Sequence, residues 1–344
     1  MNTKNCFDFL RFFFAANILL AHLCELSQSN NLAFLSHFSN AIIAIKGFFV
    51  ISGFLVAKSF VNTPSLKEYF LKRAKRILPA YVVVVVLSVL IFAFFSSHDF
   101  ADYFSDINTY KYLGWNLVFL NFMQPCLPGL FEGNLLCAVN GALWTLKVEE
   151  GFYIVLPLIF YAIKKTKRPI LILVSLYFLS LLYWFIMDSY FNKPLLAKQL
   201  PGYLSYFVTG ILLFLNFEFI MKFKKSILMF SVLMLLSYYF SNLQTDVFYP
   251  AAFGCIVIIM AYNLPFLNHF GKYGDFTYGL YIYHFPIIQL FRQYNLFERY
   301  NAFAMAIAVI LITLFFAVLS WFLIERRFLD RFKKNNQKQI PAVC

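Results

Sequence analysis

Long apolar runs decide what this chain can fold into. Segments near 8–26, 38–60, 79–96, 150–163, 169–187, 201–216, 226–241, 247–263, 274–291 and 302–324 are mostly apolar. A bilayer core about 30 Å thick is crossed by a helix of about 20 apolar residues. Backbone groups in lipid find no water, so such runs become helices whose hydrogen bonds close internally. Only 13% of the residues are charged, where a soluble domain carries about 25%. The chain therefore reads as an all-α integral membrane protein with about ten transmembrane helices.

The net charge of +13 raises the question of a nucleic-acid partner, and its distribution answers no. The basic residues cluster in short stretches between apolar runs, as membrane topology requires. Ten spans put both termini on one side. Placing both in the cytoplasm assigns 21 of the 29 Lys and Arg residues to inner segments and six to outer ones. No linker or repeat divides the chain, so residues 1–330 read as one membrane domain with a basic cytoplasmic tail at 331–344. The first apolar run carries Arg11 and lacks a small-residue cleavage site, so it reads as a span and not as a signal peptide. Cys344 is terminal, which does not fit a prenylation motif. One long outer segment, 97–149, contains Pro125, Pro128, Gly129, Gly133 and Gly141. It is expected to be irregular, with 112–124 a candidate re-entrant or interfacial piece.

Ionisable groups inside the apolar runs are the first functional signal. Arg11 and His22 lie in FDFLRFFFAANILLAH, and a charge at the bilayer centre costs at least about 2.5–3.5 kcal/mol. Eleven residues separate them, close to three helical turns, so they share a face about 16 Å apart along the axis. Snorkelling to the two interfaces is the plain alternative. Lys46 lies in the second run, where an ammonium must be paired, neutralised or open to water. The sequence does not choose among these. Ser52 and Gly53 allow close helix packing. Pro79 is expected to begin the third span, where its missing N–H costs nothing.

Five ordered segments carry a resemblance to a known family. They are FDFLRFFFAANILLAH, with Asp8, Arg11 and His22; GFFVISGFLV at 47–56; KRAKRILPAY at 72–81; NGALWTLKVEEGFYIVLPL at 140–158; and YGLYIYHFPI at 278–287, followed by a last span ending in Ile324-Glu325-Arg326. Together they resemble the membrane acyltransferase-3 family, O-antigen acetylase-like enzymes that acylate cell-surface glycans. Each segment is weak alone, and the ordered set is specific. Lys72 stands where that family usually has Arg, which keeps the charge and loses bidentate phosphate recognition. The chain ends soon after the tenth run, as in members without a C-terminal esterase-like domain.

The resemblance implies acyl transfer to a hydroxyl, and the residues fit that chemistry. Such a reaction needs a base near neutrality, the usual task of His, which points to His22 with Arg11 beside the donor. Glu25, one turn on, either orients the imidazole or is an interfacial carboxylate. Coenzyme A carries phosphates and is made in the cytoplasm. Arg11, Lys72, Arg73 and Arg76 are thus candidate donor anchors, although basic inner segments also set topology and attract anionic lipid. On the acceptor or pore-lining side stand Asp8, Glu25, Lys46, Trp144, Glu149, Tyr153 and His284. Trp144 stacks on a sugar or sits in the aromatic belt. Glu149 and Glu150 also complement a helix N-terminus. His284 is expected to line a pore and not to catalyse.

Six Cys show no zinc-ligand spacing, and no metal site is expected. Cys126 and Cys137 share the outer segment, where an oxidising compartment permits a disulfide. There is no P-loop, no HExxH and no dinucleotide-binding Gly motif. No His is followed five residues later by Asp, which counts against a glycerolipid acyltransferase. The expected protein is a multi-pass O-acyltransferase of a bacterial inner membrane. It would move acetyl from cytoplasmic acetyl-CoA to a hydroxyl of a cell-surface or lipid-linked polysaccharide, with no permanently bound cofactor. A transporter or flippase for a lipid-linked sugar or acyl donor is the alternative, since buried charges suit both.

Overall fold

A computed structural model describes residues 4–240 and 247–329. The expected tail at 331–344 lies outside them. Among the described residues there are helices and turns but no strand. The main helices are α1 (Phe7–Ser27), α2 (Ala41–Val61), α3 (Leu66–Phe92), α4 (Phe100–Ser105), α5 (Ile107–Leu117) and α6 (Trp144–Thr166). They continue as α7 (Pro169–Phe185), α8 (Leu200–Leu215), α9 (Lys224–Phe240), α10 (Tyr249–Asn263), α11 (Thr277–Gln293) and α12 (Ala302–Ser320). Each of the ten apolar runs overlaps one of them. Five helices among the described residues are long and apolar enough to cross a membrane, or six if the bent pair Tyr249–Asn263 and Pro265–Lys272 counts as one span.

Local chemistry sets the helix ends. Gln28, Lys167, Asn192 and Asn295 adopt left-handed backbone where helical stretches stop, a common C-terminal geometry. Pro169 occupies the first turn of α7, where no intrahelical donor is lost. Asp99, Asp106 and Asn301 cap α4, α5 and α12 by accepting from the amides of Asp102, Asn108 and Phe303.

Two expectations change here. α3 begins at Leu66, thirteen residues before Pro79, so Pro79 is inside the helix. The run KEYFLKRAKR supplies good helix formers, and they extend the helix through the stretch read as an inner loop. Lys72, Arg73 and Arg76 therefore project from a helix. The segment 97–149 is also more regular than its Pro and Gly content implied, because α4 and α5 form before Pro125.

The chain resolves into two compact units, each assembled from three stretches of sequence. The first comprises Met1–Phe14, Ile42–Tyr69 and Val148–Tyr273. Within it, small residues bring backbones together. A side chain at Gly53 of α2 would meet the Phe207 carbonyl of α8, and one at Gly210 of α8 would meet the Val50 carbonyl of α2. This is how membrane helices gain contact without a hydrophobic driving force. Aromatic rings fill the rest. Phe152 stacks on Phe207 at 4.5 Å, and Phe54 meets the rings of Phe7, Phe214, Phe217 and Tyr262.

The second unit comprises Ala15–Ala41, Phe70–Lys147 and Gly274–Cys344. The stretch from 97 to 147 does not stay at the end of α3. The Tyr103 hydroxyl donates to the Val89 carbonyl, and the Tyr81 hydroxyl donates to the Asn116 carbonyl at 2.6 Å. Those two points on α3 are eight residues apart, about 12 Å along the axis. The segment thus runs back beside α3. Asn121 closes this contact by donating to the Tyr81 hydroxyl and to the Asn116 side chain.

The return path lies on α11. The buried Gln289 donates to the carbonyls of Leu136 and Ala138 at 2.6 and 2.8 Å and accepts from Asn134. Asn140 donates to the Ile282 carbonyl, and Gln293 bridges the Phe131 amide and the Phe95 carbonyl. Residues 282, 289 and 293 recur at helical spacing on one side of α11. Cys126 and Cys137 are joined by a disulfide, with Cα atoms 5.3 Å apart.

Candidate active site

Two of the five His residues lie inside apolar helices, and the structure brings them together. Nδ1 of His22 on α1 is 2.8 Å from Nε2 of His284 on α11. The rings are nearly parallel, at 13°, with centroids 5.1 Å apart. His284 is fully buried, and its Nδ1 lies 3.1 Å from the Leu280 carbonyl, one turn back on its own helix. Phe285 packs edge-on to His22 at 5.4 Å, and Tyr281 stands 6.0 Å from His284. Tyr281 is held in turn, since its hydroxyl donates to the Ala142 carbonyl at 2.7 Å and meets Thr145.

This arrangement removes the orienting role considered for Glu25. Glu25 is exposed, and the group that meets the His22 ring is His284. Among the described residues neither ring contacts a carboxylate. The geometric reason is position. At three residues past His22, Glu25 lies nearer the C-terminal end of α1, whereas α11 approaches at the level of His22 itself.

The basic turn of α3 is half-buried. Arg76 is a helical neighbour of both Lys72, four residues before it, and Arg73, three residues before it. Arg76 forms an ion pair with Asp275 at 2.6 Å, with side chains only 16% and 13% exposed. Asp275 precedes α11 and also accepts from the Thr277 amide. Lys72 and Arg73 lie one turn before Arg76 towards the helix start.

In the first unit, Asp8 lies in the opening turn of α1 against Gly271, where a side chain at 271 would strike its carboxylate. Arg11, half-buried, follows one turn later. The Lys46 ammonium sits 4.7 Å from the Tyr249 ring and 5.3 Å from the Tyr206 ring. Two aromatic faces thus surround it, a cation–π environment. On α6 the buried Tyr153 donates its hydroxyl to Glu149 one turn before it. Trp144, at the start of α6, is half-buried in the second unit.

Comparison with known proteins adds the family. A family model described as an acyltransferase domain matches residues 4–326. The chain belongs to the acyltransferase-3 family. It is similar to an O-acetyl transferase of Shigella phage Sf6, 28% identical over 340 residues, covering 96% of this chain and 98% of the phage protein. It is also similar to nodulation protein 10 of Rhizobium leguminosarum bv. viciae, 24% identical over 83% of each chain. A shorter match, 28% identical over 38% of this chain and 22% of the relative, is to the peptidoglycan O-acetyltransferase OatA of Listeria monocytogenes. No solved structure matches the chain.

Family membership makes this protein an acyltransferase and gives the pair of half-buried His22 and buried His284 its context. Sequence reasoning did not pair His284 with His22 and did not weigh Asp275 or Gln289. A signal for His284 was present. A polar ring inside an apolar helix needs a partner, and His22 was the other such ring. No local pattern connects residues 262 positions apart.

Proposed function

We propose that the protein is a membrane O-acetyltransferase that moves acetyl from acetyl-CoA to a hydroxyl of a polysaccharide, with His22 as the general base. The observation that carries the reading is the position of His22. Its imidazole lies on an apolar helix, held by the buried ring of His284, in a chain that matches a phage O-acetyl transferase almost end to end. The acceptor oxygen attacks the thioester carbonyl as its proton passes to His22. The carbon–sulfur bond then breaks, and the imidazolium returns the proton to the leaving thiolate. Arg11 and the turn from Lys72 to Arg76 supply cations for the donor's phosphates. Trp144, Glu149, Tyr153 and Lys46 serve the acceptor side.

The same reading has ten spans, cytoplasmic termini and a bacterial inner membrane. The positive-inside distribution of Lys and Arg supports that orientation, and the overlap of all ten apolar runs with helices supports the count. The segment 112–124 is then re-entrant, since its partner Tyr81 lies near the start of the apolar run 79–96, at the end of that run away from residue 97. Family membership, and not the bundle itself, separates a transferase from a transporter.

The test is transfer of labelled acetyl from acetyl-CoA to surface polysaccharide in membranes carrying His22→Ala. A general base contributes about 10²–10⁴-fold, so transfer should fall to a trace while the protein still reaches the membrane. Transfer near the parent rate would rule out His22 as the base.

A further inference from the structure

We propose that His284 is a positioning residue that fixes the tautomer of His22, holding its Nδ1 protonated so that Nε2 is the atom that takes the acceptor proton. The inference deepens the reading of His22 as the base and rests on it. Hydrogen-bond direction alone sets the tautomers. The Leu280 carbonyl only accepts, so Nδ1 of His284, at 3.1 Å, must carry a proton. In a neutral imidazole the other nitrogen is then an acceptor. That nitrogen is Nε2, and it faces Nδ1 of His22 at 2.8 Å. His22 must therefore donate from Nδ1, and its basic lone pair moves to Nε2.

The surroundings favour this neutral chain. His284 is fully buried, and an unpaired charge there would be costly. Among the described residues the groups facing the two rings are aromatic or backbone: Phe285, Tyr281 and the Leu280 carbonyl. The Tyr281 hydroxyl is already engaged by Ala142 and Thr145. The arrangement does for His22 what a carboxylate does in a Ser-His-Asp triad. It selects the tautomer and fixes the ring plane. It does so without a charge. During transfer the acceptor O–H bond breaks, an N–H bond forms at Nε2, and the oxygen–carbonyl bond forms as the carbon–sulfur bond breaks. The proton leaves from the same Nε2 to the thiolate, so Nδ1–H never moves.

Two measurements test this on the full-length protein. The first compares His284→Ala and His284→Gln in steady-state transfer from acetyl-CoA. A wrong tautomer lowers the chemical step, by about 10⁴-fold in the triad case. We expect kcat of H284A to fall at least about 10²-fold with little change in KM for acetyl-CoA. Gln carries both an oxygen that accepts from Nδ1–H and an NH2 that serves the Leu280 carbonyl, so H284Q should recover much of that loss. The second measurement is nitrogen NMR of ¹⁵N-His-labelled parent protein in lipid, with His22 assigned by its loss in H22Q. It should show a protonated Nδ1 and a bare Nε2, which needs no variant at position 284 to fold. A bare Nδ1 would overturn the proposal. So would an H284A enzyme with parental kcat beside an inactive H22A enzyme, in which case His22 stays the base. If H22A itself transfers acetyl normally, the base reading fails, and the tautomer assignment loses its role with it.

Discussion

Asp275→Asn isolates what the Arg76 ion pair does. The substitution keeps the size of the side chain and an oxygen able to accept from the Thr277 amide at 3.3 Å, but it removes the charge opposite Arg76. Exposed pairs contribute about 0–1 kcal/mol, and breaking a fully buried pair costs about 3–5 kcal/mol. With side chains 16% and 13% exposed, this pair lies between those limits. We expect D275N to lose about 1–3 kcal/mol. Asp275→Ala should lose more, because the hydrogen bond from the Thr277 amide goes too, worth about 0.5–1.5 kcal/mol. The assay is equilibrium unfolding in mixed micelles, with acetyl-CoA affinity measured on the same samples. A double-mutant cycle with Arg76→Ala separates the pair from its neighbours. If D275N unfolds within about 0.5 kcal/mol of the parent and binds acetyl-CoA more tightly, the pair does not brace the fold. Asp275 would then be a competitor that the donor's phosphates displace.

Two further outcomes concern the outer segment. Gln289→Met keeps the volume but leaves the Leu136 and Ala138 carbonyls without their donor. At about 1–3 kcal/mol for each buried unsatisfied group, protease cleavage within 130–140 should accelerate sharply, and unchanged cleavage would contradict the clamp. Non-reducing peptide mapping should find Cys126 linked to Cys137 in protein from an oxidising compartment. Reduction should loosen the segment by about 2–3 kcal/mol, and recovery of both as free thiols would refute the link.

What the sequence made legible was periodic or local. Apolar length located the helices, because lipid leaves the backbone no alternative. The shared outer segment pointed to Cys126 and Cys137. What stayed hidden was long-range or competed with a local rule. Pro79 looked like a helix start because proline favours that position. The residues from Leu66 to Leu78 extend the helix before it regardless, and an interior proline is tolerated where neighbours re-satisfy the freed carbonyl. The outer segment looked irregular from its Pro and Gly. Its anchoring depends on Tyr81, Gln289 and Asn140, whose polar partners are mostly backbone carbonyls with no sequence signature.

The His pair shows the limit most sharply. Sequence alone made His22 notable for its charge-bearing helix and His284 merely polar. In the proposed mechanism the chemistry belongs to neither alone, since the lone pair at Nε2 of His22 follows from the Leu280 carbonyl through the His284 ring. On the proposed reading the tautomer of the base is thus set two hydrogen bonds away, on a helix whose C-terminal half is clamped by Gln289 and Gln293. Loosening that clamp should disturb transfer before it disturbs the fold, because an imidazole hydrogen bond fails with a small displacement while the packed bundle does not.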